Sequence, residues 1–195
     1  MGLKCLVLVG HPIEGSFNAA LAERYAAVLT AGGAEVRVMH LDRMEFEGSL
    51  KTRKPGDAEL IGDAAEFWDN LVWGEHFVLV HPLWWGGMPA RLKALFDLTL
   101  QSGKAYRYEG GKPLPNGLLK GRSARLVVTS DTPDWFMRLA YGDAHFKQVT
   151  RQIFKFCGLG PVRRSHASVM KGSKPQARAK MLERLAKDAG RDLRG

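Results

Sequence analysis

Residues 3–33 read LKCLVLVGHPIEGSFNAALAERYAAVLTAGG and carry the clearest sign of the fold. Its first part is apolar from Cys5 to Val9, as expected of a parallel strand that is buried on both faces. Apolar side chains then recur at helical spacing, and Gly32 and Gly33 end the pattern. The stretch therefore predicts a buried strand followed, after a short loop, by an amphipathic helix.

The same alternation of strand and helix continues to the end of the chain. Strands are predicted at 3–9, 34–41, 77–80, 124–129 and 162–169, and helices at 16–30, 61–72, 89–99, 146–157 and 180–191. Such alternation predicts an α/β fold, a parallel sheet with helices on both faces. A length of 195 residues suits one domain, 1–195. The segment 105–121, rich in Gly, Pro and aromatic residues, is long for a connector and is a candidate functional loop.

Composition and charge exclude several classes of protein. The longest purely apolar run is Cys5 to Val9, far short of the roughly 20 residues that a membrane-spanning helix needs, so we expect no membrane insertion and a cytoplasmic location. The net charge is +9, and ten basic but only three acidic residues follow from Arg163 onward. These basic residues have no interleaved aromatic residues, so nucleic-acid binding is not predicted. Cys5 and Cys157 lack metal-ligand spacing and are expected to be buried, and no metal site is predicted.

The loop after the first predicted strand has the composition of an anion site. Ser16 can cap the following helix, whose free N–H groups and dipole attract phosphate, and His11 and Asn18 add side-chain donors. Glu14 would repel a phosphate unless its carboxylate points to solvent. The alternative is that Ser16 only caps the helix. Because neither GxGxxG nor a P-loop sequence is present, a Rossmann dinucleotide fold and a P-loop NTPase are not predicted.

The loop after the third predicted strand reads HPLWWGGMP at 81–89. A planar heterocycle can stack on Trp84 or Trp85, while the two glycines let backbone amides approach its polar edge. The alternative places one Trp in the core and the other at a subunit interface. A phosphate-binding loop and an aromatic platform on neighbouring strands together indicate a phosphorylated planar cofactor, and the first candidate is a flavin.

On these residues the sequence resembles the flavodoxin-like quinone reductase family. That family comprises the NAD(P)H dehydrogenase (quinone) group and its bacterial drug-activity modulator and potassium-efflux accessory relatives. The motifs that carry the resemblance are His11-Pro12, Ser16-Phe17-Asn18, Pro82-Leu83-Trp84-Trp85-Gly86 and Phe156-Cys157-Gly158. The resemblance covers nearly the whole chain. It implies a flavodoxin-like, doubly wound sheet of five parallel strands in the order 2-1-3-4-5, and a homodimer.

The resemblance also implies roles for particular residues. It assigns the flavin phosphate to His11, Ser16, Phe17 and Asn18, the flavin ring to Pro82, Leu83, Trp84, Trp85 and Gly86, and a third contact to Thr129, Ser130 and Asp131. At this third contact the chain has Asp131-Thr132 where many members have a Gly pair. Tyr141 stands where the animal enzymes have a histidine that assists the flavin, which makes it the candidate catalytic residue. The alternative is that Tyr141 only lines the pocket, and Trp135 and Phe136 are expected to form a wall or lid.

The function that the resemblance implies is a flavin-dependent NAD(P)H:quinone oxidoreductase. In that prediction NAD(P)H and a quinone or similar acceptor react in turn by a ping-pong mechanism, with FMN or FAD as the cofactor. One alternative is a flavin-binding accessory protein that regulates a potassium-efflux-type transporter. A second is a one-electron carrier of the flavodoxin type, but those proteins are usually strongly acidic and this chain carries +9.

Overall fold

The central feature of the computed structural model is a parallel five-stranded sheet. The structure describes residues 2–48, 59–111 and 114–195. The strands are β1 (Lys4–Val9), β2 (Glu35–His40), β3 (His76–Pro82), the short hairpin strands β4 (Tyr106–Arg107) and β5 (Asn116–Gly117), β6 (Ser123–Ser130) and β7 (Val162–Ser168). The sheet order is β2-β1-β3-β6-β7, with every neighbouring pair parallel. Because β6 and β7 are the fourth and fifth predicted strands, the predicted order 2-1-3-4-5 is confirmed.

The helices follow the predicted alternation, and a helix and a β-hairpin are added to the predicted elements. They are α1 (Phe17–Ala31), α2 (Gly62–Trp73), α3 (Ala90–Thr99), α4 (Asp134–Leu139), α5 (Ala144–Lys147) and α6 (Pro175–Asp192), and Gln148–Lys155 continues α5 with wider π-helical turns. The added helix is α4 and the added hairpin is formed by β4 and β5, and both lie in segments predicted to be loops. A helix of six residues and strands of two are too short to show a hydrophobic period. The predicted connection before α2 lies partly outside the described residues.

The two faces of the sheet carry separate apolar clusters. In β1, Leu6 and Leu8 pack on the side of α2 and α3, while Val7 and Val9 pack on the side of α1 and α6. Alternate residues of a strand point to opposite faces, so a strand covered on both sides must be apolar throughout. This is why β1 could be predicted from its composition. The prediction that both cysteines are buried is also confirmed.

A buried ionic cluster joins α6 to the amino-terminal end of the sheet. The carboxylate of Asp192, which is 5% exposed, accepts hydrogen bonds from the hydroxyl of Tyr25 and the guanidinium groups of Arg125 and Arg163, and lies 3.6 Å from His76 Nε2. Burial alone would raise the pKa of Asp192. The hydrogen bonds from Arg125, His76 and Tyr25 outweigh burial and hold this pKa well below its usual range.

Candidate functional site

A cleft of about 320 Å³ opens where the strands of the sheet end. It lies beyond the carboxyl ends of β1, β3, β6 and β7, where parallel α/β sheets bind their ligands. The cleft is lined by His11, Ile13, Glu14, Ser16, Phe17, Asn18, Pro82, Leu83, Trp84, Thr129, Ser130, Asp131 and Met170. Ten of the twelve predicted cofactor-binding residues are among them; Trp85 and Gly86 are not. Glu14, noted in the sequence as a possible obstacle to phosphate, lines the cleft as well, and Ile13 and Met170 were not predicted. Met170 follows β7, and the position of that strand end could have indicated it.

The first loop is held by the cap of α1. Ser16 has an extended backbone, and its Oγ accepts a hydrogen bond from the Ala19 amide at 3.3 Å, as an N-cap residue does. The ring of His11 lies over the loop, with Nδ1 3.1 Å from both the amide nitrogen and the carbonyl oxygen of Ile13. Burial lowers the pKa of His11. The side chain of Glu14 is 81% exposed and lies 3.8 Å from Arg43, so its carboxylate is solvated and partly balanced by a positive charge.

Asn18 supplies a buried donor to this cleft. The residue is 3% exposed, and its Oδ1 accepts a hydrogen bond from Thr129 Oγ1 at 3.1 Å. That bond leaves the amide Nδ2 as the donor end, and within the described residues this buried nitrogen has no hydrogen-bond partner. A buried donor without a partner is costly, because it has lost its water without replacement. The arrangement therefore fits a ligand that brings an acceptor, such as a phosphate oxygen.

A tight turn places the two tryptophans at the rim. Trp84 and Gly87 exchange backbone hydrogen bonds of 2.9 Å, and the two residues between them have positive φ, 51° for Trp85 and 74° for Gly86. This is the pattern of a type I′ turn, which Gly tolerates and a Trp seldom adopts. Trp85 is fully exposed, and Trp84 is 40% exposed and edge-on to His11. Neither indole is packed in the core, so the alternative that placed one of the two tryptophans there is wrong on that point.

Tyr141 lies outside the residues that line the cleft. It follows α4, is 57% exposed, and packs edge-on against Phe136 with the ring centres 5.2 Å apart. Phe136 in turn contacts Trp135, so the three residues form one exposed aromatic group. The structure therefore joins Tyr141 to the expected lid residues and not to the predicted cofactor contacts.

Two buried histidines meet at the end of β3. His81, the penultimate residue of β3, is fully buried, and its Nδ1 lies 2.8 Å from the Pro82 carbonyl oxygen. Its Nε2 lies 3.3 Å from Nε2 of His145 on α5. Burial lowers the pKa of His81 to about 3, with a further contribution from His145, and burial lowers the pKa of His145 to about 4. Both rings are therefore neutral at pH 7.

These histidines make stability depend on pH. Their ordinary pKa of about 6.5 applies in the unfolded chain, which therefore binds protons below pH 6.5 that the folded protein refuses. The contribution of these two histidines to the free energy of unfolding is therefore fully present above pH 6.5 and falls toward pH 4. At pH 5 the loss is roughly 2 kcal/mol per histidine. We expect His145→Leu to remove a large part of the difference between urea unfolding at pH 7 and at pH 5. An equal pH dependence in the wild type and His145→Leu would contradict this account.

The residues that the structure describes include neither a metal-binding cluster nor a membrane-spanning helix. Within residues 2–48, 59–111 and 114–195, no three His, Cys, Asp or Glu side chains come together in a group that could hold a metal ion. Across the same ranges, no helix combines the length and the apolar character needed to cross a membrane.

Comparison with known proteins identifies a family and several relatives. The model of a family described as having a flavodoxin-like fold matches residues 3–189. The chain is 28% identical over 159 residues to an uncharacterized NAD(P)H oxidoreductase of Haemophilus influenzae, which covers 79% of this chain and 78% of that relative. It is 28% identical to an FMN-dependent NADH:quinone oxidoreductase of Ruegeria pomeroyi, over 65% of this chain and 70% of that one. The crystal structure of Smu.1420 from Streptococcus mutans superposes with a TM-score of 0.83 at 29% identity, covering 96% of this chain and 98% of the other.

Proposed function

The chain belongs to the family with the flavodoxin-like fold, and from that membership we propose that it is an FMN-dependent NAD(P)H:quinone oxidoreductase. The relatives from Haemophilus influenzae and Ruegeria pomeroyi are both named as oxidoreductases that use NADH or NAD(P)H, which supports this function. The Ruegeria protein is named as FMN-dependent, which supports FMN in preference to FAD. When bound, the flavin supplies the hydride chemistry, and the protein supplies orientation and electrostatics.

The observation that carries this proposal is the polar end of the cleft. Asn18 Nδ2, which has no hydrogen-bond partner among the described residues, and the capped start of α1 both lie at this end, which suits the phosphate of FMN. His11, Ser16 and Phe17 line the same end, and the carboxylate of Glu14 is solvated. We assign these residues to the phosphate.

The side of the cleft formed by the ends of β3 and β6 combines apolar and polar side chains, which suits the ring of a flavin and its polar edge. Pro82, Leu83 and Trp84 line it from the end of β3, and Thr129, Ser130 and Asp131 line it from the end of β6. We assign all six to the ring, and we keep Trp85 and Gly86 as ring contacts because the turn holds them directly beside Trp84. Tyr141 remains our prediction for a residue that assists the reaction, and its place among exposed aromatic residues favours contact with the incoming substrate.

We propose that the two substrates occupy one slot in turn. The exposed rings of Trp84, Trp85, Trp135 and Tyr141 suit two flat molecules, the nicotinamide and the quinone. If NAD(P)H must leave before the quinone binds, the kinetics are ping-pong. Initial rates with the isolated protein, measured at several NADH or NADPH concentrations against a benzoquinone, should then give parallel double-reciprocal lines. Intersecting lines would contradict this mechanism, and the absence of turnover without a partner protein would contradict the enzyme itself.

Several further predictions from the sequence stand beside this function. We propose one domain, 1–195, and a homodimer, supported by exposed apolar side chains on and near the β4–β5 hairpin, Tyr108 and Leu114. The cytoplasmic location stays a prediction. No feature of the described residues favours an accessory protein of a transporter, and we do not propose one.

A further inference from the structure

Three side chains form a continuous hydrogen-bonded line at the cleft. Ser130 Oγ lies 2.8 Å from His166 Nε2, and His166 Nδ1 lies 3.0 Å from Asp134 Oδ1. These residues come from the end of β6, from β7 and from the start of α4. In the register of the sheet His166 stands opposite Val128, which makes Ser130 its diagonal neighbour on the same face.

This line runs from the cleft toward solvent. Ser130 is 6% exposed and is one of the residues that line the cleft. The side chain of His166 is 7% exposed, and that of Asp134 is 45% exposed. A proton bound to His166 is thus shielded from bulk water, while one end of the line meets the cleft and the other meets the surface.

The line is complete in either charge state of the histidine. The hydrogen bond from His166 lowers the pKa of Asp134, so an ionised carboxylate accepts the Nδ1–H. When His166 is neutral, its Nε2 accepts the Ser130 hydroxyl proton. When His166 is charged, its Nε2–H donates to Ser130 Oγ, and the hydroxyl proton can turn to the Thr132 carbonyl oxygen, 3.0 Å from Oγ. No polar atom of the line loses its partner in either state.

The surroundings of His166 place charge of both signs near the ring. A second cleft, of about 390 Å³, lies on the outer side of His166. The charged groups that line it are Asp134 and Arg138 on α4, Arg164 on β7, and Arg184, Asp188 and Arg191 on α6. Arg184 donates to the backbone carbonyl of His166, and the ring of Phe146 packs edge-on against the imidazole with centres 5.4 Å apart. Of the lining carboxylates, the one hydrogen-bonded to the imidazole is that of Asp134.

We propose that Asp134, His166 and Ser130 are a proton relay that serves the cleft during quinone reduction. The proposal rests on the oxidoreductase function proposed above. That reaction converts NAD(P)H, a quinone and one proton into NAD(P)⁺ and a hydroquinone. NAD(P)H supplies both electrons, and the relay supplies the proton that comes from solvent.

The proton transfer balances at each atom. The Nε2–H bond of His166 breaks as a new O–H bond forms on Ser130. The original O–H bond of Ser130 breaks as an O–H bond forms on the oxygen of the quinone that receives the electrons. His166 is left neutral with its remaining proton on Nδ1. It therefore regains a proton at Nε2 from solvent water that reaches Ser130 through the cleft once the hydroquinone has left, and Asp134 stays ionised throughout. Ser130 is the member that faces the cleft, while His166 and Asp134 are positioning residues that act through it.

The test separates the two halves of the reaction by anaerobic rapid mixing. We expect His166→Gln and Ser130→Ala each to slow the reoxidation of the reduced, FMN-loaded protein by a benzoquinone roughly 100-fold. This factor is at the lower end of the effect expected when a general acid is lost. Bleaching of the FMN-loaded His166→Gln protein by NADH or NADPH should change less than about threefold, because the relay gives no proton in that half. The pH dependence of reoxidation should disappear in both variants. The matched control is His40→Gln, a histidine whose Nδ1 lies 4.0 Å from Asp42 and which does not line the cleft.

A second measurement needs neither cofactor nor turnover. In the apoprotein labelled with ¹⁵N-histidine, we expect a slowly exchanging ring N–H signal that His166→Gln abolishes and Asp134→Asn shifts or abolishes. Wild-type protein without this signal would overturn the relay. The relay would also be overturned if His166→Gln and Ser130→Ala are bleached normally and are reoxidised with the same rates and pH profiles as the wild type. This holds even if either variant unfolds more easily. Wild-type protein that neither nucleotide bleaches would instead contradict the proposed function.

Discussion

The free energy of unfolding of an Asp192→Asn variant should be lower than that of the wild type by about 3–5 kcal/mol, the usual cost of removing one partner from a buried ion pair. The asparagine keeps the shape of the side chain but removes its charge. Arg125, which is 3% exposed, would then keep a buried guanidinium whose closest carboxylate is gone. Tyr25 and His76 would lose their charged partner in the same step.

Urea unfolding at pH 7 measures this loss directly. The matched control is Asp97→Asn, since Asp97 is paired with Lys93 on an exposed face of α3, where an ion pair contributes only about 0.5 kcal/mol. Because the pKa of Asp192 is depressed, its contribution is complete above the unfolded value of about 3.9 and is lost only as the pH falls below it. This window lies below that of His81 and His145. A loss under about 1 kcal/mol for Asp192→Asn would show that the cluster is not the anchor of α6.

FMN should bind roughly 100-fold more weakly to an Asn18→Asp variant than to the wild type, because a hydrogen bond to a charged group contributes about 1.5–3 kcal/mol. The aspartate keeps the oxygen that accepts from Thr129 and replaces the donor Nδ2 with a second oxygen. A carboxylate would then face the phosphate where the wild type offers an N–H. The loss of the bond and the new repulsion act in the same direction.

Titration of FMN fluorescence with apoprotein measures this affinity. The matched control is Asn70→Asp, a second buried asparagine whose Oδ1 already accepts from Arg37 and whose Nδ2 already contacts Met39. Asn70 does not line the cleft, so the control should bind FMN as the wild type does. Affinity of Asn18→Asp within threefold of the wild type would remove Asn18 from the phosphate site.

The parts of the fold that could be predicted are those where burial leaves a pattern in the sequence. The apolar run of β1 is required by helices on both faces, and the spacing along α1 is required by one. The candidate cleft followed from the same pattern, because the carboxyl ends of neighbouring parallel strands meet at one edge. This is why ten predicted residues come together although they are far apart in the chain.

The parts that could not be predicted depend on distances between side chains. Asp192 sits in a helix rich in charged residues, and nothing in its neighbours distinguishes a buried carboxylate from a solvated one. His166 reads as one polar residue of a strand, and its partners Ser130 and Asp134 are 36 and 32 positions away. Their meeting depends on the register between β6 and β7 and on α4, which was not predicted.

The visible spectrum of the protein, recorded after loading with FMN and removal of free flavin, tests the proposed oxidoreductase function most directly. Flavin absorbance bands should remain with the protein, be bleached without oxygen by NADH or NADPH, and be restored by a benzoquinone. If the protein retains no FMN, or retains FMN that neither nucleotide bleaches, it is not the flavin-dependent reductase proposed above.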